Sequence, residues 1–188
     1  MMKQAFHEIK INTKGQGLYN FTSQTISWLN KQNIINIKQG PIKSLLITFD
    51  DVSIKGISLL FNDCQNTAGD VPKQLDDVVT QLLSYFEEAH SQWTIDITGQ
   101  GTAFQQRVWR FLQSIPMGET RTYGQLAKQL NSSARAVGNA CRANPFLLVV
   151  PCHRVVKQSG LGGFAGKVDG EAVEIKQWLL DHEKSQST

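Results

Sequence analysis

The sequence predicts an α/β N-terminal domain followed by a mainly α C-terminal domain that carries a helix-turn-helix. Two β-prone apolar runs, 45–49 and 54–61, precede a stretch of helical periodicity over 71–90. From Phe104 onward the apolar spacing is helical and the connections are short. A chain of 188 residues that is 40% hydrophobic can build one sizeable domain or two small ones sharing an interface. The expected division is an N-terminal extension over 1–36, an α/β domain over 37–101 and a last domain over 102–188.

In order, Leu45-Leu46-Ile47-Thr48-Phe49 reads as a strand ended by Asp50-Asp51, and Ile54 to Phe61 as a second strand, so a hairpin is expected. The helix over 71–90 has Pro72 near its start and Leu75, Val78, Val79, Leu82, Leu83 and Phe86 on one side. Residues 92–103, with Gly99 and Gly101, read as a short strand and a linker. Residues 104–114 place Phe104, Val108, Phe111 and Leu112 on one helical face, and Pro116 stops that helix. After the turn Met117-Gly118-Glu119-Thr120 a short helix spans 123–130. Asn131-Ser132-Ser133 then offers N-cap chemistry for a helix over 134–142. Two short helices joined so tightly fit a helix-turn-helix, although many helical hairpins bind nothing.

Charge is uneven: residues 1–100 carry 8 Lys/Arg against 10 Asp/Glu, and residues 101–188 carry 11 against 6. Arg107, Arg110, Arg121, Lys128, Arg135, Arg142, Arg154 and Lys157 have only Glu119 among them as an acid, which marks a candidate polyanion face or a solvated basic surface. There is no run of 18 apolar residues and no secretory signal, so a cytoplasmic location away from membranes is expected. Cys64, Cys141 and Cys152 form neither a CxxC pair nor a disulfide framework, and all three are expected reduced.

The chemistry concentrates in Asn144-Pro145-Phe146-Leu147-Leu148-Val149-Val150-Pro151-Cys152-His153-Arg154-Val155-Val156, where a buried apolar run ends at a proline followed by a thiol, an imidazole and a guanidinium. A thiolate is a strong nucleophile, and nearby His and Arg favour its ionised form. The alternative is that Cys152 is a small buried hydrophobe, as most free cysteines are. In an extended chain neighbours point to opposite sides, so His153 reaches the thiol only through a water or a third group.

These residues resemble the O6-alkylguanine-DNA alkyltransferases, or methylated-DNA–protein-cysteine methyltransferases. The resemblance is carried by Pro151-Cys152-His153-Arg154-Val155, the active-site signature of that family. Phe104-Gln105-Gln106-Arg107-Val108-Trp109, Ile115-Pro116-Met117-Gly118-Glu119-Thr120, Thr122-Tyr123-Gly124-Gln125-Leu126-Ala127, Ala134-Arg135-Ala136-Val137-Gly138, Asn144-Pro145 and Trp178-Leu179-Leu180-Asp181-His182-Glu183 support it in the family's order. Residues 37–101 resemble the family's variable N-terminal domain in outline.

The resemblance implies that Cys152 accepts the alkyl group of O6-alkylguanine in double-stranded DNA and is consumed, with His153, a water and Glu183 as the relay that ionises it. Tyr123 is implied to donate to the departing guanine, and Asn144 to organise the active-site turn. Arg135 is implied to fill the gap left by the flipped nucleotide; flipping is required because a buried sulfur cannot reach a stacked base in line. Thr122, Ala134, Ala136 and Gly138 are implied to meet DNA, Ala140 and Ala143 adding to a small-residue surface for the minor groove. Pro151, Val155, Phe164 and Ala165 are implied to wall the substrate pocket. All of this chemistry lies after Gly101. No cofactor is needed, a monomer is expected, and Cys64 has no neighbouring Cys or His for zinc.

The loop Gly163-Phe164-Ala165-Gly166-Lys167 departs from the family's usual Gly-Tyr-Ser/Ala-Gly-Gly and is followed by extra residues before Lys176. Residues 1–36 weakly resemble the opening strand and first helix of a family linked to secondary thiamine-phosphate synthase activity; the alternative is a lineage-specific strand and helix packed on the first domain. Two further functions compete with transfer. One is recognition of alkylated bases without chemistry, as in alkyltransferase-like proteins, which replace the cysteine retained here. The other is a Cys/His hydrolase, which the adjacent Cys-His order disfavours.

Overall fold

In the computed structural model, which describes residues 31–50, 53–61, 73–88, 93–95, 97 and 100–186, three strands form an antiparallel meander. They are β1 (Lys31–Gln39), β2 (Ile42–Phe49) and β3 (Ile54–Leu60). The expected β2–β3 hairpin is present, with Leu45 opposite Leu59 and Ile47 opposite Ile57. β1 crosses the expected boundary after residue 36: residues 31–36 pair with 44–49. Ile34 and Ile37 are β-branched residues, which favour a strand there. Residues 1–30 and Cys64 lie outside the described residues.

Helix α1 (Lys73–Glu88) buries Val78, Leu82, Tyr85 and Phe86, a stripe at i, i+4, i+7 and i+8. Leu83, expected on that face, is 37% exposed, because the stripe centres on Leu82 and Tyr85 and leaves position 83 on its flank. The short strand expected within 92–103 is absent among the described residues of that segment. Gln81 replaces a strand partner: its Oε1 accepts from the Thr94 amide at 2.9 Å and its Nε2 donates to the Thr94 hydroxyl at 2.7 Å. Trp93 meanwhile lies against Tyr85, ring centroids 5.8 Å apart.

The rest is helical. α2 (Ala103–Gln113) starts at a reciprocal capping box between Thr102 and Gln105 and buries Val108, Trp109 and Leu112. α3 (Tyr123–Gln129) has the same box from Thr122 and Gln125, and α4 (Ala134–Arg142) is capped by Ser133. The turn between α3 and α4 passes through Asn131 at φ 48°, a left-handed position that Asn tolerates well. The Trp109 indole donates to the Ala140 carbonyl at 2.9 Å and ties α2 to α4. Two-residue strands β4 (Arg121–Thr122) and β5 (Val155–Val156) pair in parallel, and α5 (Glu171–Gln186) closes the chain. Among the described residues no helix is long and apolar enough to cross a membrane.

One hydrophobic cluster runs from the sheet through α1 to the helices of the second half. The edge of β3 also holds the segment that leads to Cys152: the Ile57 amide donates to Pro145 O at 2.7 Å and the Leu147 amide to Ile57 O at 3.0 Å. A Cβ on Gly56 would stand 3.2 Å from Pro145 O, so glycine permits this approach. The sheet therefore braces the cysteine-bearing segment. Cutting the chain after residue 36 removes most of β1, whereas cutting after residue 30 spares it. The shorter protein is expected to be less stable by roughly 1–3 kcal/mol, about 2–4 °C of melting temperature per kcal/mol at this size. Thermal melts of both truncations check this, and equal melting temperatures count against a structural β1.

Candidate active site

Residues 144–150 do not run as an extended strand. Asn144 takes backbone groups that a strand would give to a neighbour: its Oδ1 accepts from the Phe146 amide at 2.9 Å and its Nδ2 donates to Val150 O at 2.8 Å. The Val150 amide closes the turn onto Phe146 O at 2.9 Å, with Leu148 at φ 74°. Phe146, Leu148, Val149 and Val150 are fully buried or nearly so, and this packing holds Leu148 in a conformation unfavourable for a branched side chain. Directly after it, Cys152–Arg154 forms a single 3-10 turn rather than extended chain. The alternation expected for Cys152 and His153 therefore does not apply.

Cys152 is buried, and its Sγ accepts from Asn144 Nδ2 at 3.4 Å. Burial pushes the thiol above its ordinary value, while the Asn144 amide and the Lys176 ammonium pull it back. Neither His153 Nε2 nor the Arg154 guanidinium is directed at the thiol, because both are engaged by Glu183. His153 Nε2 lies 2.8 Å from Glu183 Oε1. Arg154 grips both carboxylate oxygens, Nε to Oε2 at 2.9 Å and Nη2 to Oε1 at 2.8 Å, and Nη1 donates to Ile115 O at 2.6 Å. Arg154 is consequently buried and is no part of a basic face.

Glu183 is fully buried and also accepts from the Tyr85 hydroxyl at 2.8 Å and the Gly118 amide at 3.3 Å. Burial alone would raise its carboxyl, but His153 and Arg154 outweigh burial and hold it far below the usual carboxylate range. An ionised carboxylate only accepts, so the proton between the two groups sits on His153 Nε2. That leaves Nδ1 as an unprotonated acceptor, buried and without a hydrogen-bond partner among the described residues. Burial lowers the His153 pKa against the pull of Glu183, so the ring is neutral at neutral pH.

Lys176, on α5, is buried and donates to Val155 O at 2.6 Å and Gly163 O at 3.0 Å, with Nζ 5.9 Å from the Tyr123 ring centre. Burial lowers its pKa to about 8, opposed by the thiols of Cys152 and Cys141. Tyr123 is raised above its ordinary value, first by burial and then by the two thiols, and stays a phenol. It lines an open groove of about 490 Å³ with Thr122, Ala134, Arg135 and Gly138 from the region of α3 and α4 and with Lys157, Gln158 and Gly163 from the chain after β5.

The chain is similar to known proteins over most of its length. Residues 103–185 match the family model described as 6-O-methylguanine DNA methyltransferase, DNA binding domain. A probable methylated-DNA–protein-cysteine methyltransferase of Acanthamoeba polyphaga mimivirus is 39% identical over 157 residues, 82% of this chain and 97% of the relative. The chain belongs to the methylated-DNA–protein-cysteine methyltransferase family. Among solved structures, a single-residue variant of the Mycobacterium tuberculosis O6-methylguanine methyltransferase is 32% identical, with a TM-score of 0.69 over 85% of this chain and 96% of that one. The M. tuberculosis OGT in complex with DNA is 33% identical, with a TM-score of 0.67 over 82% and 93%.

Within this methyltransferase, Cys152, His153, Glu183 and Asn144 come together in one buried cluster. Tyr123 stands at the groove with Arg135, Ala134, Gly138 and Thr122, the Thr122 hydroxyl also accepting the Gln125 amide at 3.1 Å. Ala136 is half-buried, whereas Ala140 is 2% exposed and belongs to the core rather than to a small-residue surface. Pro151, Val155 and Phe164 are buried and do not line the groove. Ala165 is exposed at the tip of a tight turn, where Phe164 and Lys167 exchange two 2.9 Å hydrogen bonds and Ala165 and Gly166 have φ of 46° and 81°. Lys176 and Tyr85 are the neighbours of this cluster that pattern reading misses. A lysine in a helix reads as a solvent group, and Tyr85 lies before the first of the family's blocks.

Proposed function

We propose that this protein repairs O6-alkylguanine in double-stranded DNA by moving the alkyl group onto Cys152, once per molecule, as a cytoplasmic monomer. One observation carries the reading: a buried thiol beside Asn144 whose neighbour His153 has its Nδ1 bare and its Nε2 anchored on Glu183. A water between Nδ1 and Sγ takes the thiol proton toward His153, and the sulfur attacks the alkyl carbon. The S–C bond forms as the C–O6 bond breaks, and the electron pair leaves on the guanine. The departing guanine accepts a hydrogen bond from the Tyr123 hydroxyl, which stays a phenol, and takes its proton from solvent. The His153 imidazolium returns the thiol's proton to water, so that protons and charge balance. The carboxylate stabilises the imidazolium that forms, as charge developing in a dry site requires.

Helices α3 and α4 act as a helix-turn-helix, with α4 presenting Ala134, Arg135 and Gly138 to the minor groove. Arg135 is exposed at the first turn of α4 and enters the duplex where the nucleotide is flipped out. Arg107, Arg110, Lys128, Arg142 and Lys157 are likewise exposed and supply phosphate contacts. Incubation with duplex DNA containing O6-methylguanine, followed by peptide mass analysis, should place one methyl group on the Cys152 peptide. An unmodified protein that still binds the lesion would end the proposal in favour of recognition alone.

Arg135→Ala is expected to slow repair of duplex DNA at least about tenfold, the scale of one lost interaction worth 1.4 kcal/mol, while reaction with free O6-benzylguanine changes little. Equal losses on both substrates remove its role in flipping. The affinity of the parent protein for DNA should fall steeply between low and moderate salt as counterions are released. A flat salt dependence contradicts the phosphate contacts.

A further inference from the structure

We infer that Tyr85, on helix α1 of the first half, is a positioning residue for the His153–Glu183 pair and ties the N-terminal part of the chain to the transfer chemistry. The inference rests on the transfer reading above. Tyr85 is completely buried, and its hydroxyl donates at 2.8 Å to Glu183 Oε1, the same oxygen that receives His153 Nε2 at 2.8 Å. A core position that needed only volume would be filled as well by phenylalanine, which occupies the next position of the same helix, Phe86. The hydroxyl is instead matched to a carboxylate oxygen on α5, ninety-eight positions away.

The groups around this oxygen define what the hydroxyl does. From the 3-10 turn come His153 and the Arg154 guanidinium, which donates to both oxygens. From α5 come Glu183 itself and the Lys176 ammonium, whose charge opposes protonation of His153. His182, also on α5, lies 5.7 Å from the Tyr85 ring and bonds the Tyr85 carbonyl at 3.0 Å, fixing the helix turn that aims the phenol. From the loop before β4 comes the Gly118 amide on Oε2. Tyr85 is the hydroxyl donor in this set. Its hydrogen bond drains charge from Oε1 and so limits how strongly the carboxylate favours an imidazolium at His153. It also fixes Oε1 in the line of the His153 N–H, which keeps Nδ1 aimed away from Glu183.

The test is Tyr85→Phe, which keeps the ring and removes the hydroxyl. Single-turnover methyl transfer from duplex DNA is measured against pH for both proteins, alongside the midpoint of His153 titration by NMR of its ring. Losing the donor leaves more negative charge on Oε1, so His153 becomes easier to protonate. The acid limb of the rate profile and the NMR midpoint should both move up by about half a pH unit or more. Transfer should fall about threefold on the acid limb, the ratio that such a displacement implies, with little change at the alkaline plateau. Superimposable profiles and an unchanged His153 midpoint overturn the inference and leave Tyr85 a core residue. The two readouts separate failures: if the parent protein transfers no methyl group, the functional reading fails, while the NMR midpoint still decides the Tyr85 contact.

Discussion

Cys152→Ser is expected to reduce methyl transfer to background while leaving binding to lesion-containing DNA largely intact. The hydroxyl has nearly the volume of the thiol, so the buried pocket beside Asn144 and Val150 survives. A hydroxyl is a far weaker nucleophile at neutral pH, and the neutral imidazole beside it is too weak a base to ionise it. Cys141→Ser should keep transfer, because Cys141 lies on α4, outside the signature over 151–155 and the turn that Asn144 holds. The check is peptide mass after incubation with methylated duplex, together with a binding titration for each variant. A methyl group on the Cys141 peptide, or transfer retained by Cys152→Ser, would falsify the assignment.

Glu183→Gln should have the largest effect on stability. The carboxylate receives His153, Arg154, Tyr85 and Gly118, and leaving the Arg154 charge buried without its partner costs about 3–5 kcal/mol. The pH dependence follows from the direction of the shift. The folded Glu183 pKa lies below its ordinary 4.5, so the unfolded chain binds the proton first. Its contribution is therefore fully present above about pH 4.5 and is lost as pH falls through and below that value. His153 acts in the same direction, since its folded pKa is lowered from 6.5 and stability falls as the unfolded ring charges. Urea unfolding of both proteins from about pH 3 to about pH 8, a range that brackets both ordinary values, measures this. The parent should lose stability toward acid more steeply than Glu183→Gln; parallel curves would show that the carboxylate is not held ionised by folding. Transfer by the variant should also drop, because His153 loses the charge that stabilises its protonated form.

Much of the organisation was legible from local pattern. The apolar runs at 45–49 and 54–61 are strands, and the helical spacing after Phe104 gives α2, with Ser133 capping α4 as its position before Ala134 implies. Such signals are local because backbone hydrogen bonding and side-chain periodicity repeat within a few residues. The misses are where a contact from elsewhere took over. Gln81 satisfies Thr94 in place of a strand partner, residues 31–36 pair with β2 across the expected boundary, and Asn144 bends the run before Cys152 into a turn.

For the site, the sequence marks Cys152, His153 and Glu183 as candidates through the resemblance that the signature and its ordered blocks carry, because each block is a short contiguous run. What only the tertiary structure decided is which group acts on which. Arg154, two positions from the thiol, turns away to Glu183, while Lys176, twenty-four positions on, and Asn144, eight positions back, are the groups that lower the thiol pKa. Tyr85 reaches Glu183 from the other half of the chain. The reason is physical: electrostatic influence and hydrogen bonding depend on distance in space and on burial. Neither is set by separation along the sequence once sheet, α1 and α5 pack into one core.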